Sequence, residues 1–390
     1  MSKIKIETLT AVHIGSGETL QYGTDFVTGE TEDGDVISII EPRKVLDLIG
    51  VDNVQQWVTA IERKESTSQV VKRYVPNAKL EDYSNRIILG WSEVRDTDTL
   101  KEQIHDGQGR PYIPGSSIKG AIRTAILASL VGGIQDKESK IDKTKRDSDG
   151  NPSPDKRGKI QLKANAQKIE AELFGFNSKK EGVDPNKDVF RFLQVGDAYF
   201  GELREVAIRM VNINERERQS FWDASKPQLI EAVSPEDESE FQLKLNISGY
   251  NFSRGKVNQL PLCMSSEAEL FRTINTHTQK LLCEELEYWE EREDKDESDN
   301  VSTYMGKVND ILSIARKCKD GKECILRIGH GSGWCFITGA WAKSLKNFDS
   351  LVVPVSRPKN SIYEQYDFPK TRRVDDECEL LGFVKLSIIE

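Results

Sequence analysis

The stretch Pro111-Tyr-Ile-Pro-Gly-Ser-Ser-Ile-Lys-Gly-Ala-Ile-Arg-Thr-Ala-Ile-Leu-Ala-Ser-Leu-Val131 carries the clearest structural signal in the 390-residue sequence. A Pro-Gly turn comes first, and apolar or small residues then recur at the spacing of one helix face. Ser116 or Ser117 is suited to cap this helix, because a serine hydroxyl accepts a hydrogen bond from an unpaired amide of the first turn. The pattern predicts one buried stripe, formed by Ile118, Ala121, Ile122, Ala125, Ile126, Ser129 and Leu130.

The start of this helix is also a candidate anion site. Unpaired amides and the positive end of the helix dipole favour a phosphate there. Lys119 and Arg123 are four residues apart and therefore lie on one side of the helix. The alternative is an ordinary amphipathic helix with two solvated cations, and the spacing alone does not decide between the two.

Outward from this helix, strand and helix patterns alternate irregularly. Strand patterns occupy 4–12, 36–40, 190–200, 241–247, 324–328 and 380–388. Helix patterns occupy 43–48, 57–63, 169–174, 267–292 and 303–317. This order favours an α+β fold over a doubly wound sheet, and a ferredoxin-like sheet is a candidate.

Two glycine-rich stretches follow strand patterns. Gly15-Ser16-Gly17 comes directly after His13, and Gly329-His330-Gly331-Ser332-Gly333 precedes Trp334. The second stretch has the spacing of neither a P-loop nor a dinucleotide-binding loop, so nucleotide binding is not expected. Its glycines permit close approach of a ligand backbone, and His330 can stack on a base. A tight hairpin is the alternative.

The remaining charged candidates are few. Lys370, Arg372 and Arg373 concentrate positive charge near an acidic end of the chain and can contact phosphate or form a solvated loop. His13 is the candidate general acid or base if the chain cleaves RNA, although a histidine that only hydrogen-bonds the turn is the simpler interpretation. Asp25 stands without a second carboxylate at metal-binding spacing, which favours a structural role.

The composition limits any nucleic-acid site to one face. The net charge is −9 and the isoelectric point is near 5.3, unlike proteins that coat nucleic acid unaided. Acidic residues concentrate in 284–299, whereas 137–163 is rich in lysine and arginine. The six cysteines form no C-x-x-C pair, and no segment resembles a targeting peptide or a membrane span. We expect a cytoplasmic protein with reduced thiols and neither metal nor cofactor.

Taken in order, the motifs resemble a known family. Thr8-Leu-Thr-Ala-Val-His-Ile-Gly-Ser-Gly17, Ile113-Pro-Gly-Ser-Ser-Ile-Lys-Gly-Ala-Ile-Arg123 and Leu326-Arg-Ile-Gly-His-Gly-Ser-Gly333 are similar to motifs of the RAMP superfamily of CRISPR-associated proteins. Val195-Gly-Asp-Ala198, Pro369-Lys-Thr-Arg372 and Leu381-Gly-Phe-Val-Lys-Leu386 resemble the fifth-named subunits of Csm complexes. The resemblance covers most of the chain in patches and leaves the insertions between them unmatched.

This resemblance implies a modified ferredoxin-like, RRM-like core with large helical and loop insertions. It implies a crRNA-binding cap subunit of a type III-A effector complex, placed at the 3′ side of the crRNA and active in crRNA maturation and assembly. The implied partners are crRNA, nearby target RNA, the backbone RAMP subunit, the small subunit and recruited trimming nucleases. The candidate RNA-contacting residues are His13, Gly15, Ser16, Ser116, Ser117, Lys119, Arg123, Gly329, His330, Gly331, Ser332, Gly333, Lys370, Arg372 and Arg373.

The order of the motifs and predicted elements also suggests how the chain is divided, and two alternative functions remain open. The chain is expected to begin with a first core part that holds a helical insertion, 1–134, followed by a charged flexible insertion or hairpin, 135–161. A core continuation, 162–265, and a helical insertion, 266–322, come next. The C-terminal core part with the glycine-rich loop is 323–390. No catalytic residue is expected. The alternatives are a metal-independent RAMP endoribonuclease that uses His13, and a recruitment hub whose acidic 284–299 segment docks a basic nuclease.

Overall fold

A computed structural model describes residues 1–90, 93–145, 147–149, 151–154, 156, 158, 160–175, 186–201, 205–217, 219–254, 256–293, 297–357, 362 and 364–389. Its strands are β1 (Ser2–Thr8), β2 (Gly15–Gln21), β3 (Phe26–Thr31), β4 (Gly34–Ile40), β5 (Ser84–Leu89), β6 (Thr99–Gln103), β7 (Tyr112–Ile113), β8 (Asp142–Thr144), β9 (Leu162–Asn165), β10 (Leu193–Val195), β11 (Ala198–Tyr199), β12 (Glu205–Asn214), β13 (Trp222–Val233), β14 (Glu238–Leu245), β15 (Glu323–Arg327), β16 (Thr371–Asp375) and β17 (Phe383–Ile389).

The helices fill the gaps between these strands. They are α1 (Pro42–Ile49), α2 (Val54–Glu62), α3 (Thr67–Tyr74), α4 (Gly115–Leu130), α5 (Gln167–Leu173), α6 (Ile247–Ser253), α7 (Glu267–Glu293), α8 (Asn300–Lys317), α9 (Phe348–Leu351) and α10 (Val353–Ser356). Short 3₁₀ turns and one π-helical turn, Cys335–Gly339, link several of them.

The core is a five-stranded sheet in the order β10-β14-β1-β17-β15, with β1 antiparallel to both neighbours. Alternation along β1 buries Ile4 and Ile6 on one face. That face packs on α4 and α7. The opposite face carries the cross-strand ion pairs Lys3–Glu240 and Lys5–Glu238. The arrangement confirms the predicted α+β fold with a modified ferredoxin-like core.

A second sheet lies beside the core in the order β2-β6-β13-β12-β5-β4-β3, and β16 pairs with β12. Helices α1 to α3 cover β3 and β4 and form a separate hydrophobic cluster around Trp57 and Tyr83. Strands β8 and β9 pair with each other at the two ends of the polar stretch predicted as a flexible insertion or hairpin.

Two predicted strands have the wrong boundaries, and local backbone contacts explain both. The strand expected over 4–12 ends at Thr8, and Val12 forms only an isolated bridge to Val233. The strand expected over 190–200 is broken at Gly196, whose amide donates to Gln242 of the core sheet. After this break β11 pairs with β7 instead.

Candidate nucleic-acid interface

The fold brings the three quoted motifs into one hydrophobic cluster. Each motif contributes apolar side chains to it, namely Val12 and Ile14, Ile113 and Ile118, and Leu326 and Ile328. The π-helical turn that follows the glycine-rich loop packs against α4. Segments more than 300 positions apart in the chain therefore pack together in one part of the core.

Gly329 fits closely against the first motif. Its φ angle is +79°, a value that L side chains rarely adopt, and a Cβ atom there would lie 2.5 Å from the carbonyl oxygen of His13. The neighbouring amide of His330 donates to that same carbonyl at 2.9 Å. Glycine is thus required at this position, where the two backbone segments touch. The alternative interpretation of the loop, a tight hairpin, is wrong because a helical turn follows the loop.

Two imidazoles meet at this contact, with ring centroids 5.6 Å apart. His13 is 2% exposed, and its Nδ1 donates to the carbonyl oxygen of Glu231 at 2.5 Å. Burial lowers the pKa of His13. His330 is half-buried, and its Nε2 accepts a hydrogen bond from Arg373 at 2.9 Å. Burial and the nearby charges of Lys101 and Arg373 lower the pKa of His330 to about 4. Both rings are therefore neutral at physiological pH.

We expect the stability of the protein to fall as the pH is lowered from about 6.5 to about 4. Burial lowers the pKa of His277 on α7 to about 4, as it does for His330. The folded state keeps these rings neutral while the unfolded chain binds protons, so acid favours unfolding in this window. Urea titrations at several pH values measure this loss. Over this pH window, the His277→Gln variant should lose about 2 kcal/mol less unfolding free energy than the wild type. An unchanged pH dependence in the variant would contradict the buried, neutral state of the ring.

Cationic side chains lie beside the paired imidazoles. Lys101 on β6 and Arg209 on β12 line a pocket of about 210 Å³ together with Gln228. Arg373 on β16 donates to Gln228 at 3.2 Å. Among the residues that the structure describes, neither Lys101 nor Lys119 of α4 forms an ion pair. These two lysines are therefore the cations best placed to meet a phosphate.

The start of α4 differs from the prediction. The helix begins at Gly115, and neither Ser116 nor Ser117 caps it. Instead the carboxylate of Asp197 accepts a hydrogen bond from the Gly115 amide at 2.7 Å. A side chain at Gly115 would clash with the carbonyl oxygens of the 195–196 segment, which explains the glycine there. The first amide is thus already satisfied, while Ser116 remains exposed and Lys119 half-buried.

Arg123 was expected at the phosphate site but serves an internal role. Its guanidinium forms ion pairs with Asp188 at 2.8 Å and Glu170 at 3.1 Å. It also lies over the rings of Phe174 and Phe190, with its Cζ atom 4.6 and 4.8 Å from their centroids. These four partners give the guanidinium an internal role, and its contact with RNA stays a prediction.

Replacing Arg123 by alanine should destabilise the fold by about 2 kcal/mol, because two ion pairs and two cation–π contacts are lost together. Arg123→Lys keeps the charge but not the planar fork and should cost less. Denaturant titration measures both values. A stable Arg123→Ala protein with weakened RNA binding would restore the original assignment.

The C-terminal basic stretch also divides between core and surface. Arg372 is 7% exposed and pairs with Glu285 at 2.5 Å, so its predicted phosphate contact is wrong. Lys370 is half-buried, and its Nζ donates to Asn214 at 2.5 Å. Arg373 alone in this stretch lies beside the paired imidazoles. A solvated loop, the alternative interpretation, is also wrong, because Arg372 and Arg373 belong to β16.

The two glycine-rich stretches contribute unequally to the surface. Gly15 and Ser16 are exposed but open strand β2, so the predicted loop is wrong there. Gly331 and Ser332 are buried, and the Ser332 hydroxyl donates to the backbone carbonyls of 328 and 329. Gly329 and Gly333 remain partly exposed. The accessible part of the glycine-rich loop is therefore its two ends and His330.

A buried charge cluster lies next to Ser16. Glu102, His105 and Glu231 place ligand-type atoms within 4.8 Å of one another. The Arg86 guanidinium donates to Glu231 at 2.6 and 2.8 Å and to Glu102 at 3.2 Å. Because this guanidinium already compensates the carboxylates, the cluster is an ion-pair network that supports β6 and β13.

A protein-family model described as the RAMP superfamily matches residues 5–336. The chain belongs to the RAMP superfamily. The resemblance carried by the three motifs is thereby confirmed. Comparison with curated protein sequences gives no match.

Solved structures of RAMP proteins share this fold. A chain in the cryo-EM structure of a Csm–crRNA–target RNA ternary complex of a type III-A CRISPR-Cas system aligns with a TM-score of 0.71 and 20% identity, covering 99% of this chain and 100% of that one. The crystal structure of T. onnurineus Csm5 aligns with a TM-score of 0.66 and 19% identity, at the same coverage. At these identities the likeness establishes a common architecture.

Sequence reasoning missed several residues of this surface. Asp197 was noted only as part of a motif, and its role at Gly115 requires knowledge of the β7–β11 pairing. Lys101 and Gln228 lie on strands with no motif, so nothing in their local sequence distinguishes them.

No helix in the described residues is long and apolar enough to cross a bilayer.

Proposed function

We propose that the chain is a non-catalytic, crRNA-binding subunit that caps a type III-A Csm effector complex at the 3′ side of the crRNA. In this role it supports crRNA maturation and complex assembly in antiviral defence, in the cytoplasm. The observation that carries the proposal is the packing of the first motif, α4 and the glycine-rich loop in one hydrophobic cluster. The charge of Lys101 lies close enough to His13 and His330 to lower their pKa values, and Lys119 lies near the start of α4.

The physical properties of this surface suit a ribose-phosphate strand. Exposed backbone at Gly15 and Gly329 permits close approach, the Ser116 hydroxyl can donate to a phosphate, and two unpaired lysines supply charge. The chain as a whole carries a net charge of −9, as expected for a subunit that holds only a few terminal nucleotides. Pairing with the guide supplies sequence specificity in RNA-guided systems, so the protein needs no base-edge readout.

The partners we propose come from the same likeness in fold. The structure of the ternary complex that this chain resembles contains crRNA, target RNA and Csm proteins. We assign this chain the corresponding neighbours: crRNA, target RNA nearby, the backbone RAMP subunit and the small subunit.

Recruitment of a trimming nuclease is the part of the proposal that rests on the acidic segment 284–299. Three of its residues, Glu285, Trp289 and Arg292, are buried and stabilise α7. Exposed acids remain at its end, including Glu290, Glu291 and Glu293. Exposed carboxylates such as these are the groups that a basic nuclease can meet.

Cleavage of RNA by His13 is the second candidate function, and the geometry disfavours it. A general acid or base must reach the reacting proton. His13 is buried, and its Nδ1 is held by the carbonyl oxygen of Glu231. Burial lowers the pKa of His13, so the one proton that the neutral ring keeps is the Nδ1 proton donated to Glu231.

Co-purification tests the proposal. The chain carries an affinity tag and is expressed together with the proteins encoded beside its gene. We expect it to elute with several related subunits and a short RNA of discrete length, and a tag on an unrelated protein serves as the control. Elution of the chain alone, free of RNA, would overturn the proposal.

A further inference from the structure

An aromatic and cationic cluster lies just before α4, outside the residues assigned above. Tyr112 on β7 and Tyr199 on β11 are direct cross-strand partners, and their rings stack with centroids 5.3 Å apart and planes 24° apart. The Cζ atom of Arg110 lies over the Tyr199 ring, 5.1 Å from its centroid. Three flat groups thus lie together at the surface.

The cluster is held in place from both sides. The Asp106 carboxylate accepts from Nε and Nη2 of Arg110, at 2.9 and 2.7 Å, and fixes the plane of the guanidinium. The Asp197 carboxylate accepts from the Tyr199 hydroxyl at 3.3 Å and from the Gly115 amide at 2.7 Å. One carboxylate therefore ties the aromatic pair to the first turn of α4.

The cluster is also open to solvent. Tyr199 is 43% exposed, and the Arg110 side chain is 42% exposed. Cross-strand packing explains why the two tyrosines touch. It does not explain why a partly exposed guanidinium is fixed over an exposed ring, since the Asp106 carboxylate already accepts from the Gln108 and Arg110 amides.

We propose that Arg110, Tyr199 and Tyr112 form a stacking platform for one unpaired base of the bound RNA. Bases stack on aromatic rings and on guanidinium planes whatever their identity, which suits a guide of variable sequence. Tyr112 and Ser116 are four positions apart in the chain, a reach of at most about 14 Å. A base on the platform is therefore joined to phosphates at Ser116 and Lys119 by a short length of strand. This inference rests on the proposed function and adds to it the chemistry of a base contact.

Binding of a fluorescently labelled single-stranded RNA of about 10 nucleotides tests the platform. We expect Tyr199→Leu to weaken binding by about 10-fold and to leave the salt dependence unchanged, because a stacking contact releases no counterion. Tyr199→Phe keeps the ring and should bind nearly as the wild type does. Melting curves of each variant identify any loss of folding.

A second measurement needs no variant. An RNA that carries 5-iodouridine is irradiated in complex with the wild-type chain, and the cross-linked peptide is identified by mass spectrometry. We expect cross-links at Tyr199 or Tyr112. RNA binding that depends on Lys119 but not on Tyr199, with cross-links elsewhere, would overturn the platform and leave the proposed function standing. No RNA binding at all would overturn both.

Discussion

Replacing Arg372 by alanine is expected to cost about 3–5 kcal/mol of folding free energy, the largest stability effect anticipated for a single substitution here. The guanidinium pairs with Glu285, and both side chains are buried. Glu285 also accepts hydrogen bonds from Trp289 at 2.9 Å and Tyr304 at 2.7 Å. Burial alone would raise the pKa of Glu285, but the Arg372 charge and these hydrogen bonds lower it overall. Without Arg372 a carboxylate remains buried and uncompensated.

The double variant Arg372→Met with Glu285→Leu is the matched control. Removing both charges together should restore most of the lost stability, since apolar groups of similar volume can replace a buried ion pair. Denaturant titrations of Arg372→Met, Glu285→Leu and the double variant give the coupling energy. An Arg372→Ala protein that is as stable as the wild type would show that the arginine is not a core residue.

Reversing charge at Lys101 and Lys119 together is expected to weaken RNA binding by about 100-fold at moderate salt. Each lysine that meets a phosphate releases counterions, so the slope of log K against log salt should become shallower by about 0.7 for each contact on a single strand. Filter binding or fluorescence anisotropy at several salt concentrations measures affinity and slope together.

The control is a double charge reversal that changes the net charge by the same amount at a different part of the protein. Lys64 and Lys72 are exposed lysines in the region of α2 and α3, which packs in a different hydrophobic cluster. Lys64→Glu with Lys72→Glu should leave the slope nearly unchanged. Equal losses in the two double variants would mean that overall charge, and not this surface, governs binding.

The sequence alone predicted the regular elements well where burial is periodic. The stripe on α4 is confirmed at Ile118, Ile122, Ala125 and Ile126, all of them buried. Helices α7 and α8 and strands β15 and β17 also lie within a few residues of their predicted positions. In each of these elements the same local pattern that favours the element also decides which face is buried.

The site was harder to predict, because the sequence shows where a charged side chain is but not which residue it pairs with in the fold. Arg123 and Arg372 were expected to be solvent-facing cations, yet their carboxylates lie 65 and 87 positions away in the sequence. Asp197 accepts from the Gly115 amide at the start of α4, where a neighbouring serine was expected to cap the helix. Only the tertiary packing of distant helices, strands and loops decides such contacts, and no periodic pattern encodes it.

The most direct test of the central claim is a structure of the chain bound to RNA in its assembled complex. We predict a phosphate within hydrogen-bond distance of the Ser116 hydroxyl or the Lys119 Nζ, with the strand continuing past Gly329 and His330. RNA lying instead across the open face of the five-stranded sheet, at Lys3 and Lys5, would contradict the account.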